Sequence, residues 1–322
     1  MKRLIVIALA TTTQVQSGEA VAQEYPVRPI RMIVPFPPSG PNDVLGRIFA
    51  QRVGELLGQS IVIDNRSGAG GTMGTDLAAK SSTDGYTLLF SGTASLSINP
   101  SLQKKLPYDP IKDFAPISLV GTAPSVMVIH PGLPVKNITE LIVLAKYKPD
   151  QLNFASGGIG GAPHLAGELL KSMAGIRMTH VPYKGASPAL TALIAGEIQI
   201  YFGGISSILP LMGSGKIRAI AVTSARPTPL MPSVPTLTSS GLPGYEISNW
   251  YAVVAPAATP KAIVARLNEE FVKVIAEPNV AVRLADLGID PAPSTPQELG
   301  THIRAEITKW AKVIAGAGIK PE

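Results

Sequence analysis

Short apolar runs rich in β-branched residues alternate along this chain with longer segments whose apolar positions recur every three or four residues. Residues 30–36 read as a buried strand, and residues 42–58 as a helix with Leu45, Ile48, Phe49, Val53, Leu56 and Leu57 on one face. Further strands are predicted at 61–64 and 86–90, with a helix at 72–80 between them. Two extended runs around Pro124 occupy 117–130. Beyond them come helices at 139–146, 162–174 and 187–195, interleaved with strands at 152–155, 178–182, 198–202 and 217–223. Asn137 and Glu140 have the spacing of a capping box at the first of these helices. A Pro-rich passage over 227–243 leads to a strand at 250–255 and a helical tail at 260–315.

Strands alternating with helices imply parallel sheets joined by right-handed crossovers. A chain of 322 residues has room for two such α/β domains. The interruption at 117–130 marks the first crossing between them, and the strand at 250–255 the return. The expected division is a discontinuous first domain, 23–122 and 249–322, and a second domain, 123–248, with two strands as the hinge. The tail is expected to pack back on the first domain.

Composition narrows the partners. Hydrophobic residues at 45% and charged residues at 16% describe a globular body and not a disordered one. The net charge is +6, but no basic run exceeds Lys104-Lys105 and aromatics are only 5%, so no nucleic-acid partner is expected. An acidic small molecule suits a mildly basic chain better. At the N-terminus, Lys2 and Arg3, the apolar stretch from Leu4 to Ala10, and Ala20-Val21-Ala22 have the form of a secretory signal cleaved after Ala22. That apolar stretch is too short to span a bilayer. Without cysteine there is no lipid anchor, disulfide or thiolate chemistry. The expectation is a soluble periplasmic monomer that begins near Gln23.

The loops after the strands carry the functional argument, because ligands of open α/β sheets sit beyond the carboxyl ends of the strands. In the first half these are Pro37-Pro38-Ser39-Gly40 after Phe36, Gly68-Ala69-Gly70-Gly71, and Ser91-Gly92-Thr93. In the second half they are Ser156-Gly157-Gly158-Ile159-Gly160-Gly161, Lys184-Gly185-Ala186-Ser187, and Gly203-Gly204-Ile205-Ser206. Small residues let backbone N–H groups approach a ligand, and the helix N-termini that follow add unsatisfied donors and partial positive charge. Hydroxyls of Ser39, Ser91, Thr93, Ser156 and Ser206 are candidate donors. Turn geometry alone explains any one such loop, but six in register across two halves point to a shared anion cleft. Asn42 and Asp43 are read as capping the first helix and holding its loop in shape. His164, in the first turn of its helix, is expected to be neutral and to bond locally or donate to the ligand. Lys184 would attract an anion or stand solvated on the rim.

Catalytic patterns fail. Gly68-x-Gly70-x-x-x-Gly74 misses the dinucleotide spacing, and no P-loop or Gly-x-Ser-x-Gly elbow occurs. Ser101-x-x-Lys104 and Tyr108-x-x-x-Lys112 match by letter only, with Pro107 and Pro110 breaking the helix they need. The four histidines, at 130, 164, 180 and 302, show no metal-ligand pairing. Neither metal, cofactor nor enzymatic activity is expected.

Ordered segments along nearly the whole chain resemble a known family. They include Tyr25-Pro-Val-Arg-Pro-Ile-Arg, Ile33-Val-Pro-Phe-Pro-Pro, Asn65-Arg-Ser-Gly-Ala-Gly-Gly, Asp84-Gly-Tyr-Thr-Leu-Leu, His180-Val-Pro-Tyr-Lys-Gly and Ala255-Pro-Ala-Ala-Thr-Pro. The sequence is similar to the Bug-type extracytoplasmic receptors of tripartite tricarboxylate transporters. The resemblance implies a two-domain periplasmic binding protein (type II, Venus flytrap), each domain a mainly parallel sheet flanked by helices. It also implies a carboxylate ligand (a di- or tricarboxylate, an aromatic acid or an acidic amino acid) and delivery to membrane permease subunits. The loops it implies for the carboxylate are Pro37 to Gly40 and Ser156 to Gly161. Ser39 stands where the family has Gly, Ser67 where it has Pro, and Gly161 where it has Ser. Ala192 and Gln199 replace acidic residues common there. The expected site therefore comprises Phe36 to Gly40, Asp43, Gly68 to Gly71 and Ser91 to Thr93. From the second domain it takes Ser156, Gly157, Gly158, Gly160, Gly161, His164, Tyr183, Lys184 and Ser206, with Phe36 and Tyr183 as apolar walls. A sensor-presenting receptor of the same fold, and more remotely an enzyme on that scaffold, are the rival readings.

Overall fold

A computed structural model describes residues 25–158, 161–183 and 185–321; Ile159, Gly160, Lys184 and the expected signal segment lie outside the described residues. The first strand, β1 (Ile30–Val34), pairs in parallel with β2 (Ile61–Asn65) and β3 (Thr87–Gly92). Between these strands lie helices α1 (Pro41–Leu57) and α2 (Thr72–Ala79). The apolar stripe read from the sequence is the buried face of α1, where Leu45, Phe49, Val53 and Leu57 meet the sheet, with Ile48 and Leu56 at its margin.

A wide turn at Ala94–Ile98 and the short helix α3 (Asn99–Leu102) precede a single 16-residue strand, β4 (Phe114–Ile129). The two runs expected around Pro124 are thus one continuous strand. Pro116 adjoins a register shift, and Pro124 is the last residue paired with β9 (Ser248–Pro256) before β4 changes partners. From Ser125 onward β4 pairs with β7 (Ile200–Gly204) and, from Val126, with β8 (Arg218–Val222).

The second half contributes α4 (Ile138–Tyr147), β5 (Asn153–Ser156), α5 (Ala162–Ala174), β6 (Thr179–Pro182), α6 (Ala186–Ala195) and, after β7, α7 (Ile205–Ile208). The Asn137 cap forms as its spacing predicts, its side chain accepting the Glu140 N–H at 2.9 Å. The tail folds as α8 (Lys261–Ile275), α9 (Pro278–Asp286), the two-residue β10 (Asp290–Pro291) and α10 (Pro296–Gly316).

The strand order is β2-β1-β3-β9-β4-β7-β5-β6, and β4 runs through both halves. The result is the two-domain α/β fold, each lobe a sheet with apolar clusters on both faces. Because β1, β2, β3, β5, β6 and β7 all end toward the crossing, the loops that follow them lie at that end of each lobe. The tail departs from expectation in one respect. Leu299 and Ile303 of α10 pack in the first lobe, but Trp310, Val313 and Ile314 enter the core of the second beside Phe154 and Leu165. An amphipathic pattern fixes the face of a helix but not how many lobes that face spans.

Candidate functional site

The loop after β1 is held from below by one carboxylate. Asp43, 2% exposed, accepts the Ser39 N–H at 2.9 Å, the Arg47 Nε–H at 3.0 Å and the Asn65 Nδ2–H at 2.9 Å. Asn65 also donates to the Phe36 carbonyl at 3.1 Å. Burial would raise the Asp43 pKa, but the bonds from Arg47, Ser39 and Asn65 outweigh it and hold the carboxyl below its ordinary value. Asp43 therefore shapes the loop and does not face the cleft, while the residue preceding the helix is Gly40, with no side-chain cap. Ser39 adopts φ 66°, a conformation that favours glycine and so accounts for the Gly the family resemblance leads one to expect there. Pro41 has no N–H, and the N–H groups of Asn42 and Asp43 have no acceptor among the described residues.

The loop after β2 packs against the first. Gly71 has φ 92°, and a Cβ there would lie 3.0 Å from the Phe36 ring. The Gly70 and Ala69 carbonyls are taken up by Asn99 at 3.1 Å and Gln103 at 3.3 Å, which together also bond Thr72. In the third loop the hydroxyls turn inward. Ser91 bonds Ser95, and Thr93 accepts the Trp250 N–H at 2.7 Å, clipping the end of β3 to β9. A cavity of about 210 Å³ remains between these parts. Phe36, Pro41 and Asn42 form one side, Gly92, Thr93 and Ala94 a second, and Asn249, Trp250 and Tyr251 of β9 the third. None of these nine residues carries a charge.

In the second lobe the Ser156 hydroxyl is likewise engaged, donating to Gly158 O at 2.8 Å and bonding His180 Nε2 at 2.7 Å. Tyr183 N–H to Ser156 O at 2.9 Å and Gly185 N–H to Gly157 O at 3.1 Å zip the loops after β5 and β6 together. His180 stacks on His164 with ring centroids 3.8 Å apart, and Phe154 lies beneath it at 4.9 Å. Glu168 Oε1 lies 3.8 Å from His164 Nε2 and 2.8 Å from Lys171 Nζ. Ser206, by contrast, is exposed and sits against Gly288 at the corner between α9 and β10, outside the lining of the 210 Å³ cavity.

Residues 45–319 match the tripartite tricarboxylate transporter family receptor. The chain belongs to this family. Three solved structures are similar along nearly their whole length. Rpa4515 of R. palustris with adipate is 36% identical, covering 92% of this chain and 100% of that one, with a TM-score of 0.76. The periplasmic binding protein BugD is 34% identical over 92% of this chain and 100% of its own, with a TM-score of 0.72. MatC (Rpa3494) of Rhodopseudomonas palustris with bound malate is 32% identical over 90% and 100%, with a TM-score of 0.70. This chain is thus a Bug-type solute-binding receptor of the family and not an enzyme.

Of the receptor residues expected from sequence, the structure brings Phe36, Gly92 and Thr93 together at the cavity, with Gly71 directly behind Phe36. Ser156, Gly157, Gly158, Tyr183 and His164 form one connected patch in the second lobe. The cavity also takes in Pro41, Asn42 and Ala94, which adjoin the expected loop residues, and three residues the sequence reading passed over: Asn249, Trp250 and Tyr251. Their one signal is the run Asn249-Trp250-Tyr251, polar and aromatic, where the return strand begins.

The stacked histidines give this receptor a pH dependence. His164 is pushed down to about 4 by burial and by Lys171; His180 is pushed down to about 4 by burial and by His164, against the opposing pull of Glu168. Between these values and about 6.5, the ordinary histidine pKa, the unfolded chain binds more protons than the folded one. Stability is therefore full above that window and falls as pH drops through it. Melting temperatures measured from pH 7 to pH 4.5 should decline, and His180→Gln should flatten the slope. Identical slopes in parent and variant would refute this origin.

Proposed function

We propose that this receptor captures a small organic carboxylate between its lobes in the periplasm and presents it to the permease subunits of a tripartite transporter. The observation that carries this reading is the uncharged cavity at the first turn of α1, where the Asn42 N–H has no acceptor among the described residues. Neutral amide donors and a helix terminus suit a carboxylate without requiring a buried cation. The cavity measures about 210 Å³, toward the small end for a ligand site, which suits a short-chain acid. The relatives solved with adipate and malate support that class of ligand.

In this reading the lobes divide at the change of partners along β4, giving 23–122 with 249–322 and 123–248, after cleavage of the signal following Ala22. The second lobe, through Ser156 to Gly158 and Tyr183, closes over an acid anchored on the first. Thermal denaturation with a panel that includes adipate and malate tests the reading. A ligand at 100 times its Kd is expected to add about 2.7 kcal/mol. A broad panel of carboxylates that leaves the melting temperature unmoved would sink the proposal.

A further inference from the structure

One polar side chain on the cavity wall is not engaged by any described residue. Tyr251 is only 8% exposed and lines the cavity, yet its hydroxyl makes no hydrogen bond to any described residue. A phenol hydroxyl on the wall of a cavity and without a protein partner is available to donate to a ligand. The alternation of β9 explains its placement. Trp250 turns its indole toward Glu306 on α10, whereas Tyr251 projects to the opposite face, among Phe49 and Val253. Two amides share the cavity. Asn249 makes no side-chain bond to a described residue, and Asn42 has its Oδ1 buried and unpaired. The Tyr251 hydroxyl and the Asn249 amide can donate to a ligand oxygen, whereas Asn42 Oδ1 can only accept, as from a ligand hydroxyl.

We propose that Tyr251 is a specificity-determining residue of this receptor, its hydroxyl reading a second oxygen group on the bound acid beyond the carboxylate that anchors it. Asn249 shares that task through its side-chain amide. The inference rests on the carboxylate reading above and adds which part of the acid is recognised. Burial pushes the Tyr251 pKa up to about 12, so the phenol keeps its proton and remains a donor across the physiological range. A site built to hydrogen-bond an oxygen rejects an analogue that lacks it, because its own groups are then left unpaired.

Calorimetry on the receptor with two ligand pairs tests this: adipate against hexanoate, and malate against butyrate. Each pair shares one carboxylate and differs in the remaining oxygen groups. The parent is expected to prefer the oxygen-rich member of at least one pair by tenfold or more, and Tyr251→Phe to shrink that preference to within about threefold, the loss falling on the oxygen-rich member. Asn249→Ala, a second variant on the same strand, should shrink it in the same direction, and unliganded melting curves check that both variants fold. A preference left intact in Tyr251→Phe overturns the proposal, as does an equal loss for both members of a pair, which would mark Tyr251 as merely structural. Equal affinity of the parent for both members of each pair overturns it while leaving carboxylate capture standing. Failure of the parent to bind any of the four overturns both.

Discussion

Trp310→Ala is expected to cost about 3–5 kcal/mol of stability, the range for truncating a fully buried large aromatic. Trp310 is 0% exposed, and its indole donates to Glu306 Oε2 at 3.0 Å. The same oxygen accepts the Trp250 indole at 3.1 Å, so both tryptophans of the chain converge on one buried carboxylate, which also pairs with Lys309. Truncation opens a cavity in the second-lobe core and strips one donor from a carboxylate that is only 6% exposed. Because α10 is anchored in the first lobe through Leu299 and Ile303, the loss also weakens a brace between the lobes. Urea unfolding followed by circular dichroism measures the cost, and Trp250, then the sole tryptophan, reports the cleft separately by fluorescence. A loss below about 1 kcal/mol would show that α10 is not anchored in the second lobe.

Much of the architecture was legible because strand and helix periods differ, and here they alternate cleanly. The face of α1, the Asn137 cap and the bounds of α5 follow from local pattern alone. What escaped was set by distant contacts. The turn at Ala94–Ile98 and α3 offer only Leu96, Ile98 and Leu102 as apolar positions between Ser, Asn and Pro. They take helical form where α10 packs over them. Pro124 suggested a break, yet it is the last residue of β4 paired with β9, where the strand changes partners.

The site divides along the same line. Glycine-rich loops at strand ends announce a cleft by composition, but composition does not say where a hydroxyl points. Ser91, Thr93 and Ser156 spend theirs within the protein. The His164–His180 stack joins residues far apart in sequence, and it arises because parallel pairing sets His180 beside Phe154 on β5. Tyr251 was hidden for the opposite reason. Within an apolar strand an aromatic reads as core, which most of its ring is; only the three-dimensional structure exposes the idle hydroxyl at its end.

Gly92→Ala is expected to destabilise the receptor by about 3 kcal/mol and to abolish ligand capture in the molecules that still fold. Gly92 closes β3 opposite Tyr251, and a Cβ there would lie 1.8 Å from the Trp250 carbonyl oxygen, 2.8 Å from its carbon and 3.2 Å from the Tyr251 Cα. All three are backbone atoms, so no rotamer relieves the overlap and the two strands must separate. Separation breaks the clip in which Thr93 accepts the Trp250 N–H, and it displaces Trp250 and Tyr251, which line one side of the cavity. Gly316→Ala is the control: a Cβ at that helical position meets nothing within 4 Å. It should be neutral or stabilising by up to about 1 kcal/mol. Thermal melting and ligand titration of the two variants together decide the matter. A Gly92→Ala protein that melts and binds like its parent would mean that the contact between β3 and β9 does not shape the cleft.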